Sequence, residues 1–358
     1  MKVLVVPTWY PNGADKLMGI YHKEFTEALN RHGILADMLF VDRERLSHPI
    51  KYLFMKKNEV VEESNYQVYI KRMLNFTPIS FDLQMKIYTR KMEKAFKRYI
   101  KTHEIPDVIH AHVTTPAGYA ACMIGKKYHI PVIVTEHCGD LERFFTKEPF
   151  KKYGKIVLDN SVYSCVSSYM KEIVLKYHEE CFILPNTVNV EIFSNQKRRK
   201  IDGVCNLVIV CALREGKKID IALEAIKVLK EKKIPIHLDI VGSGFLEDYY
   251  KKVSHDLELD DIVTFKGQMT KKEIASLFLE EHALIISSEL ESFAIPGIEA
   301  LASGMPVVST DCLGPRMFIN EQTGILCKVN DKKDLARSIE YLIDHYHDYD
   351  PKYLKDFA

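Results

Sequence analysis

The sequence is poor in several features that would place it in other protein classes. It has no stretch of about 18 uninterrupted apolar residues, the length a membrane-spanning helix requires. Behind Met1-Lys2 the apolar run Val3 to Val6 stops at Pro7, too short for the core of a secretory leader, so the chain is expected in the cytoplasm. Its eight cysteines (Cys122, Cys138, Cys165, Cys181, Cys205, Cys211, Cys312, Cys327) form no C-x-x-C pair and lie mostly in apolar runs, which reads as reduced, structural thiols. An excess of one charge sign is also missing. A formal net charge of +1 excludes wholesale nucleic-acid binding, which needs many phosphates neutralised. No G-x-G-x-x-G follows the first apolar run, where Pro7-Thr8-Trp9-Tyr10-Pro11 stands instead, and this argues against a nicotinamide-dependent dehydrogenase.

What is present is a soluble-protein composition, 47% apolar and 28% charged, over 358 residues, more than one ordinary core of up to ~250 residues accommodates. Short β-branched runs alternate with amphipathic helical patterns, the signature of parallel sheets covered by helices on both faces. The first half predicts strands at Lys2–Pro7, Ala36–Val41, Asp107–His112, Pro131–His137, Val162–Ser167 and Phe182–Pro185. The basic segment Ser194 to Lys200 has little to bury and reads as a linker, after which the series restarts at Leu207–Leu213. We therefore expect an α/β chain of two Rossmann-like doubly wound domains facing a central cleft. A first domain is expected over residues 1–190, the linker over 191–205 and a second domain over 206–358.

One segment carries most of the chemistry. Ser287 to Val308 leaves a strand, crosses a loop, opens a helix near Pro296 and re-enters a strand. Such a helix start offers backbone N–H groups and a positive dipole end to a diphosphate. Glu299, read as lying in the first turn, and Glu291 in the loop before it could each accept hydrogen bonds from pairs of hydroxyls, one on a sugar and one on a ribose. Asp348-Tyr349-Asp350 follows no strand and reads as a solvated turn. His110 and His112 share a strand face, yet no third ligand lies near them in sequence, so no metal is expected.

Glu291, seven intervening residues and Glu299 resemble the signature of the retaining family 4 glycosyltransferases among the group 1 glycosyl transferases, which have the B-type two-domain fold. Further matching pieces are Leu238–Gly244, Val263–Gly267, Pro306-Val307-Val308, Pro185 to Asn189, Asp107–His112 with Pro116-Ala117-Gly118, and Thr135-Glu136-His137. The resemblance implies a metal-independent transfer of a hexose-type sugar, with retention, from a nucleotide-diphosphate sugar to a glycan or lipid-linked acceptor in polysaccharide or glycoconjugate biosynthesis. No cofactor is implied beyond that donor. Glu291 would hold the transferred sugar, Glu299 the ribose, and Ser292, Phe293, Ala294 and Ile295 would wrap sugar and phosphate. Gly19 would let backbone approach the phosphate, and His137 would reach the sugar from the first domain. Lys217 falls on the family's diphosphate lysine, but Ala212 stands where the family has an arginine, leaving Arg214 or Lys218 to supply that charge. The departure motivates an alternative, a catalytically silent member of the fold that binds nucleotide-sugar or a partner. The resemblance also implies a last helix beyond Ala358 that crosses back to the first domain.

Residues 51–101 hold twelve Lys/Arg against five Asp/Glu. The basic helix 81–103 is accordingly expected to touch anionic lipid, at the inner face of a membrane.

Overall fold

The computed structural model describes residues 1–11, 18–45, 53–75, 80–193 and 200–358. Residues 194–199 of the basic segment read as a linker, and Leu17 beside Gly19, lie outside the described residues. The chain forms two compact units, Met1–Thr187 and Val188–Ala358.

Among the described residues the first unit is built on an eight-stranded sheet of order β3-β4-β2-β1-β5-β6-β7-β8. The strands are β1 Lys2–Val6, β2 Leu35–Arg45, β3 Asn58–Glu62, β4 Gln67–Asn75, β5 Val108–His112, β6 Val132–Glu136, β7 Val162–Cys165 and β8 Phe182–Ile183. The helices are α1 Ile20–Arg31, α2 Phe81–Tyr99, α3 Tyr119–Tyr128, α4 Arg143–Thr146, α5 Phe150–Asp159 and α6 Ser168–Val174. All neighbouring strands are parallel except the β3–β4 hairpin. The central strands are buried on both faces, as at Leu4 and Val5, which are fully buried. The hairpin is absent from the sequence reading because its polar residues alternate on the solvent face: Asn58, Val60 and Glu62 are exposed.

In the second unit the order β11-β10-β9-β12-β13-β14 is parallel throughout, the doubly wound sequence three-two-one-four-five-six counted from its own first strand. Its strands are β9 Cys205–Val210, β10 Ile236–Val241, β11 Val263–Gly267, β12 Ala283–Ile286, β13 Val307–Thr310 and β14 Gly324–Cys327. Its helices are α7 Val190–Phe193, α8 Ile219–Glu231, α9 Glu247–Asp256, α10 Lys271–Leu277, α11 Ile295–Ala302, α12 Lys332–Asp344 and α13 Pro351–Phe357. The closing helix α13 was not foreseen. Pro351 opens it, Asp350 caps it by accepting from the Lys352 N–H at 2.9 Å, and its fully buried Leu354 accompanies packing on α11. The segment read as a solvated turn is thus exposed at Asp348 and Asp350, while Tyr349 is buried and Asp350 also caps a helix.

Both sheets are doubly wound, so each has a switch point where the strand order reverses, between β1 and β5 in the first unit and between β9 and β12 in the second. No helix among the described residues is long and apolar enough to cross a membrane. All eight cysteines are free thiols.

Candidate functional site

The loops leaving β9 and β12 meet at the second unit's switch point. The Ser287 hydroxyl donates to the Lys217 carbonyl at 2.8 Å, and the Glu289 N–H donates to the Gly216 carbonyl at 3.0 Å. These contacts fix a short 3-10 turn, Glu215–Lys217, against the loop that carries Glu291. Lys217 forms an ion pair with Glu291, and the Ser288 hydroxyl donates to the same carboxylate oxygen at 2.6 Å. Both side chains of the pair are largely buried, where opposite charges attract more strongly than in water.

The Glu291 backbone is held as firmly as its side chain. Its N–H donates to the Cys312 carbonyl at 2.9 Å, and its carbonyl accepts from the Gly314 N–H at 3.0 Å. From this anchor the chain passes through Ser292, the buried Phe293 and Ala294, whose φ of 70° lies in the left-handed region, into α11 at Ile295. Pro296 has no N–H, and the Gly297 N–H donates to the Ala294 carbonyl at 2.9 Å. Glu299 is the fifth residue of α11, one residue past the first turn in which the sequence reading put it, because the helix starts at Ile295, one residue before Pro296. It is fully buried. Lys271, at the start of α10, pairs with one of its oxygens, while Oε2 has no hydrogen-bond partner. Burial raises the Glu299 carboxyl above its ordinary range, against the pull of Lys271.

Ala212 is exposed, as is Arg214 two residues on. Arg214 and Lys217 both act on the Cys211 thiol electrostatically, although burial, aided by Glu291, still pushes that thiol up to about 12. Lys218 lies 3.4 Å from Glu289. Arg214 and Lys217 thus both act on the start of this loop, while Lys218 is paired with Glu289. The β9 loop is packed from below by Gly242, whose φ is 136°: a Cβ there would fall 1.8 Å from the Cys211 carbonyl oxygen.

In the first unit, Gly19 precedes α1 at φ 68°, and a Cβ on it would lie 2.6 Å from the Trp9 carbonyl oxygen. Backbone packing alone thus demands glycine here. Glu136 is fully buried and accepts four hydrogen bonds, from the Thr114 N–H and hydroxyl and from the N–H groups of His137 and Cys138, at 2.5–2.8 Å. A carboxylate so saturated organises the β5 and β6 loops and has no lone pair left for attack.

His137 follows β6 and is partly exposed, with Nε2 2.9 Å from His112 Nδ1. His22 on α1 stands 4.5 Å from His112 and 5.2 Å from His137, ring centre to ring centre, and His110 stacks on His112 at 4.5 Å. Burial keeps these rings neutral: His110 is lowered to about 4 and His137 to about 3, with His22 and His112 well below their ordinary value. A cavity of about 200 Å³ lies at the carboxyl ends of the same sheet, with Arg43 and Arg143 among aromatic walls from Phe81, Tyr88 and Phe150 and no carboxylate among the described residues that line it.

Helix α2 turns Met85, Tyr88, Met92, Phe96 and Tyr99 inward, so its apolar face is spent on the sheet. Lys86, Arg90, Lys94, Lys97 and Arg98 face solvent. Sequence reasoning missed Lys271, Ser288 and His22. Lys271 carried a faint signal, since it follows Thr270 in the capping box Thr270-Lys271-Lys272-Glu273. His22 carried none, because its neighbours His112 and His137 are about a hundred residues away in the chain.

Comparison with known proteins agrees with this architecture. Residues 192–355 match the family of glycosyl transferases group 1, and residues 20–192 match glycosyltransferase family 4. TuaC of Bacillus subtilis, a glycosyltransferase whose name assigns it provisionally to teichuronic acid biosynthesis, is 25% identical over 355 residues, covering 95% of this chain and 88% of that one. The uncharacterized glycosyltransferase MJ1178 of Methanocaldococcus jannaschii is 28% identical over 260 residues, covering 70% of this chain and 69% of that one. Among solved structures, sucrose-phosphate synthase from Thermosynechococcus elongatus superposes with a TM-score of 0.74 at 18% identity, over 100% of this chain and 94% of that one. Anabaena Alr3699/HepE in complex with UDP does so with a TM-score of 0.72 at 14% identity, over 100% and 93%. With both sheets doubly wound and both halves matched, the chain belongs to the group 1 glycosyl transferases and is a glycosyltransferase of the B-type fold.

Proposed function

We propose that this glycosyltransferase moves a hexose-type sugar, with retention of anomeric configuration, from a nucleotide-diphosphate sugar to a glycan or lipid-linked acceptor. The observation that carries the reading is the Lys217–Glu291 pair at the second unit's switch point: one cation for a diphosphate and one acid for sugar hydroxyls, held side by side by Ser287 and Ser288. Glu299 keeps one buried oxygen unpartnered, which suits a ribose hydroxyl. Because Glu291 and Glu299 are each engaged by a lysine, charge leaving on the diphosphate is met by Lys217, Arg214 and the start of α11 rather than by a carboxylate-held cation.

In the reaction the acceptor O–H attacks the anomeric carbon on the face the nucleotide leaves. The bond to the diphosphate oxygen breaks, and the acceptor's proton passes to that departing oxygen. Glu136, fully hydrogen-bonded, is not available as a nucleophile, which favours this route over a covalent intermediate. His137 orients the sugar. The aromatic cavity with Arg43 and Arg143 suits an acceptor with an anionic head and an apolar body, and the basic face of α2 suits peripheral contact with anionic lipid.

A thermal-shift screen over nucleotide sugars, followed by release of free nucleoside diphosphate with each stabilising donor, tests the proposal. Stabilisation and release by one donor class support it. Stabilisation without release from any donor, with acceptor lipid present, favours the silent-binder reading that Ala212 motivates. Mass spectrometry of a trapped glycosyl-enzyme adduct would overturn the same-face route.

A further inference from the structure

Three histidines from distant parts of the chain meet under the carboxyl edge of the first sheet, outside the donor-gripping residues of the second unit. His22 comes from α1, His112 from the end of β5 and His137 from just past β6. One ring nitrogen from each lies within 4.8 Å of the other two, and among the described residues they are the only such group of three or more metal-ligating side chains. We propose that His22, His112 and His137 bind one divalent transition-metal ion, of which Zn²⁺ is the fitting case, as a tris-imidazole site.

The first argument is hydrogen bonding. His22 is fully buried, and neither of its ring nitrogens has a hydrogen-bond partner; the Nε2 of His112 has none either. A neutral imidazole always carries one N–H donor and one acceptor, and leaving such groups unmatched in an apolar interior is costly. The neighbouring His110 meets this need, with its Nε2 2.7 Å from the Thr135 hydroxyl, so the shortfall is confined to the cluster. An ion answers part of this shortfall: it accepts a lone pair from one of the two unmatched His22 nitrogens, and from His112 and His137 through the Nδ1 and Nε2 atoms that face each other.

The second argument is geometric. Three imidazoles on a tetrahedral Zn²⁺, with Zn–N near 2.0–2.1 Å, place their ligand atoms about 3.3 Å apart. In the structure the His112 and His137 nitrogens share a hydrogen bond at 2.9 Å and all three ligand atoms lie within 4.8 Å, so binding requires that this pair part by a few tenths of an ångström and that the three rings close on the ion. Part of the ion's charge is answered by the buried Glu136 carboxylate, to which the His137 N–H donates at 2.8 Å. A small cavity beside the cluster touches His112, His137, Tyr21 and Thr135.

The ion would tie α1 to the ends of β5 and β6 and fix the ring of His137, which the proposed function turns toward the sugar; zinc uptake reads the site without any sugar transfer. Untagged protein, stripped with chelator and dialysed, is titrated with zinc sulfate alone. Metal per chain is measured after gel filtration, melting is followed with and without zinc, and X-ray absorption reads the first shell. The expected result is one zinc per chain, a raised melting temperature and three imidazole nitrogens around the ion. His22→Leu should fold, melt like the zinc-free parent and bind zinc at least tenfold more weakly. Should His22→Leu not fold, His112→Gln and the absorption spectrum of the parent decide. Failure of the parent to take up stoichiometric zinc, a shell of thiolates or oxygens, or undiminished uptake by both variants would overturn the assignment.

Discussion

Lys217 and Glu291, 74 residues apart in the chain, form an ion pair across the strand-order reversal of the second sheet. Removing the lysine leaves a largely buried acid without its cation and takes one positive charge from the diphosphate seat. Lys217→Met should therefore weaken binding of the best-recognised nucleoside diphosphate by about 10- to 100-fold, the equivalent of losing a charged hydrogen bond. Calorimetric titration checks this, and an unchanged dissociation constant would remove Lys217 from the site.

Glu299 should report on the nucleotide rather than on the sugar. Glu299→Gln keeps the shape but lowers the acceptor capacity for ribose hydroxyls and frees Lys271 from its pair. Affinity for the free nucleoside diphosphate should fall about tenfold, whereas Glu291→Gln should leave it nearly unchanged and depress turnover. Equal losses of nucleotide affinity in the two variants would contradict the division of roles.

Glu281 offers a pH test remote from the chemistry. Burial, reinforced by the neighbouring Asp239 carboxylate, pushes Glu281 up to about 9, with Lys266 opposing. The folded protein thus keeps a proton that the unfolded chain releases near pH 4.3. The stability this contributes is complete below that pH and is lost as pH rises through about 9. Glu281→Gln imitates the protonated acid, so it should match the parent near pH ~5 and melt several degrees higher near pH ~9. Parallel melting curves at the two pH values would refute the assignment.

At Gly242 a single methyl should reach the donor loop. Gly242→Ala meets both a positive φ and the Cys211 carbonyl oxygen, so the loop holding Ala212 and Arg214 must move. A loss of about 2 kcal/mol or more in unfolding free energy is expected, together with weaker nucleotide binding.

The solvent face of α2 can be altered without disturbing its packing. Lys86→Glu combined with Arg90→Glu and Lys94→Glu should leave melting unchanged and abolish low-salt sedimentation with anionic vesicles. Absence of sedimentation by the parent protein would end the membrane proposal.

The order of parallel strands was legible because residues such as Val3 to Val6 and Ala283 to Ile286 are buried on both faces and so appear as unbroken apolar runs. The β3–β4 hairpin lies at a sheet edge, where alternating charges hide the strand pattern. Within the site, Glu291 and the start of α11 were placed by the strand–loop–helix pattern around Pro296, and Lys217 only by the resemblance to the family. The Lys271–Glu299 pair and the histidine cluster could not be read, since they arise from helices and strands brought together only by the tertiary fold. Helix α13 escaped notice because one turn-forming stretch, Asp348-Tyr349-Asp350, looks the same in a tail as before a capped helix.

The opening of α11 limits what its backbone can do for an anion. With no amide on Pro296 and that of Gly297 committed to Ala294, the dipole reaches the diphosphate seat through few direct contacts. On the proposed reading, grip on the leaving group falls to side chains rather than main chain, and with alanine at position 212 it rests on Lys217 and Arg214 with little redundancy.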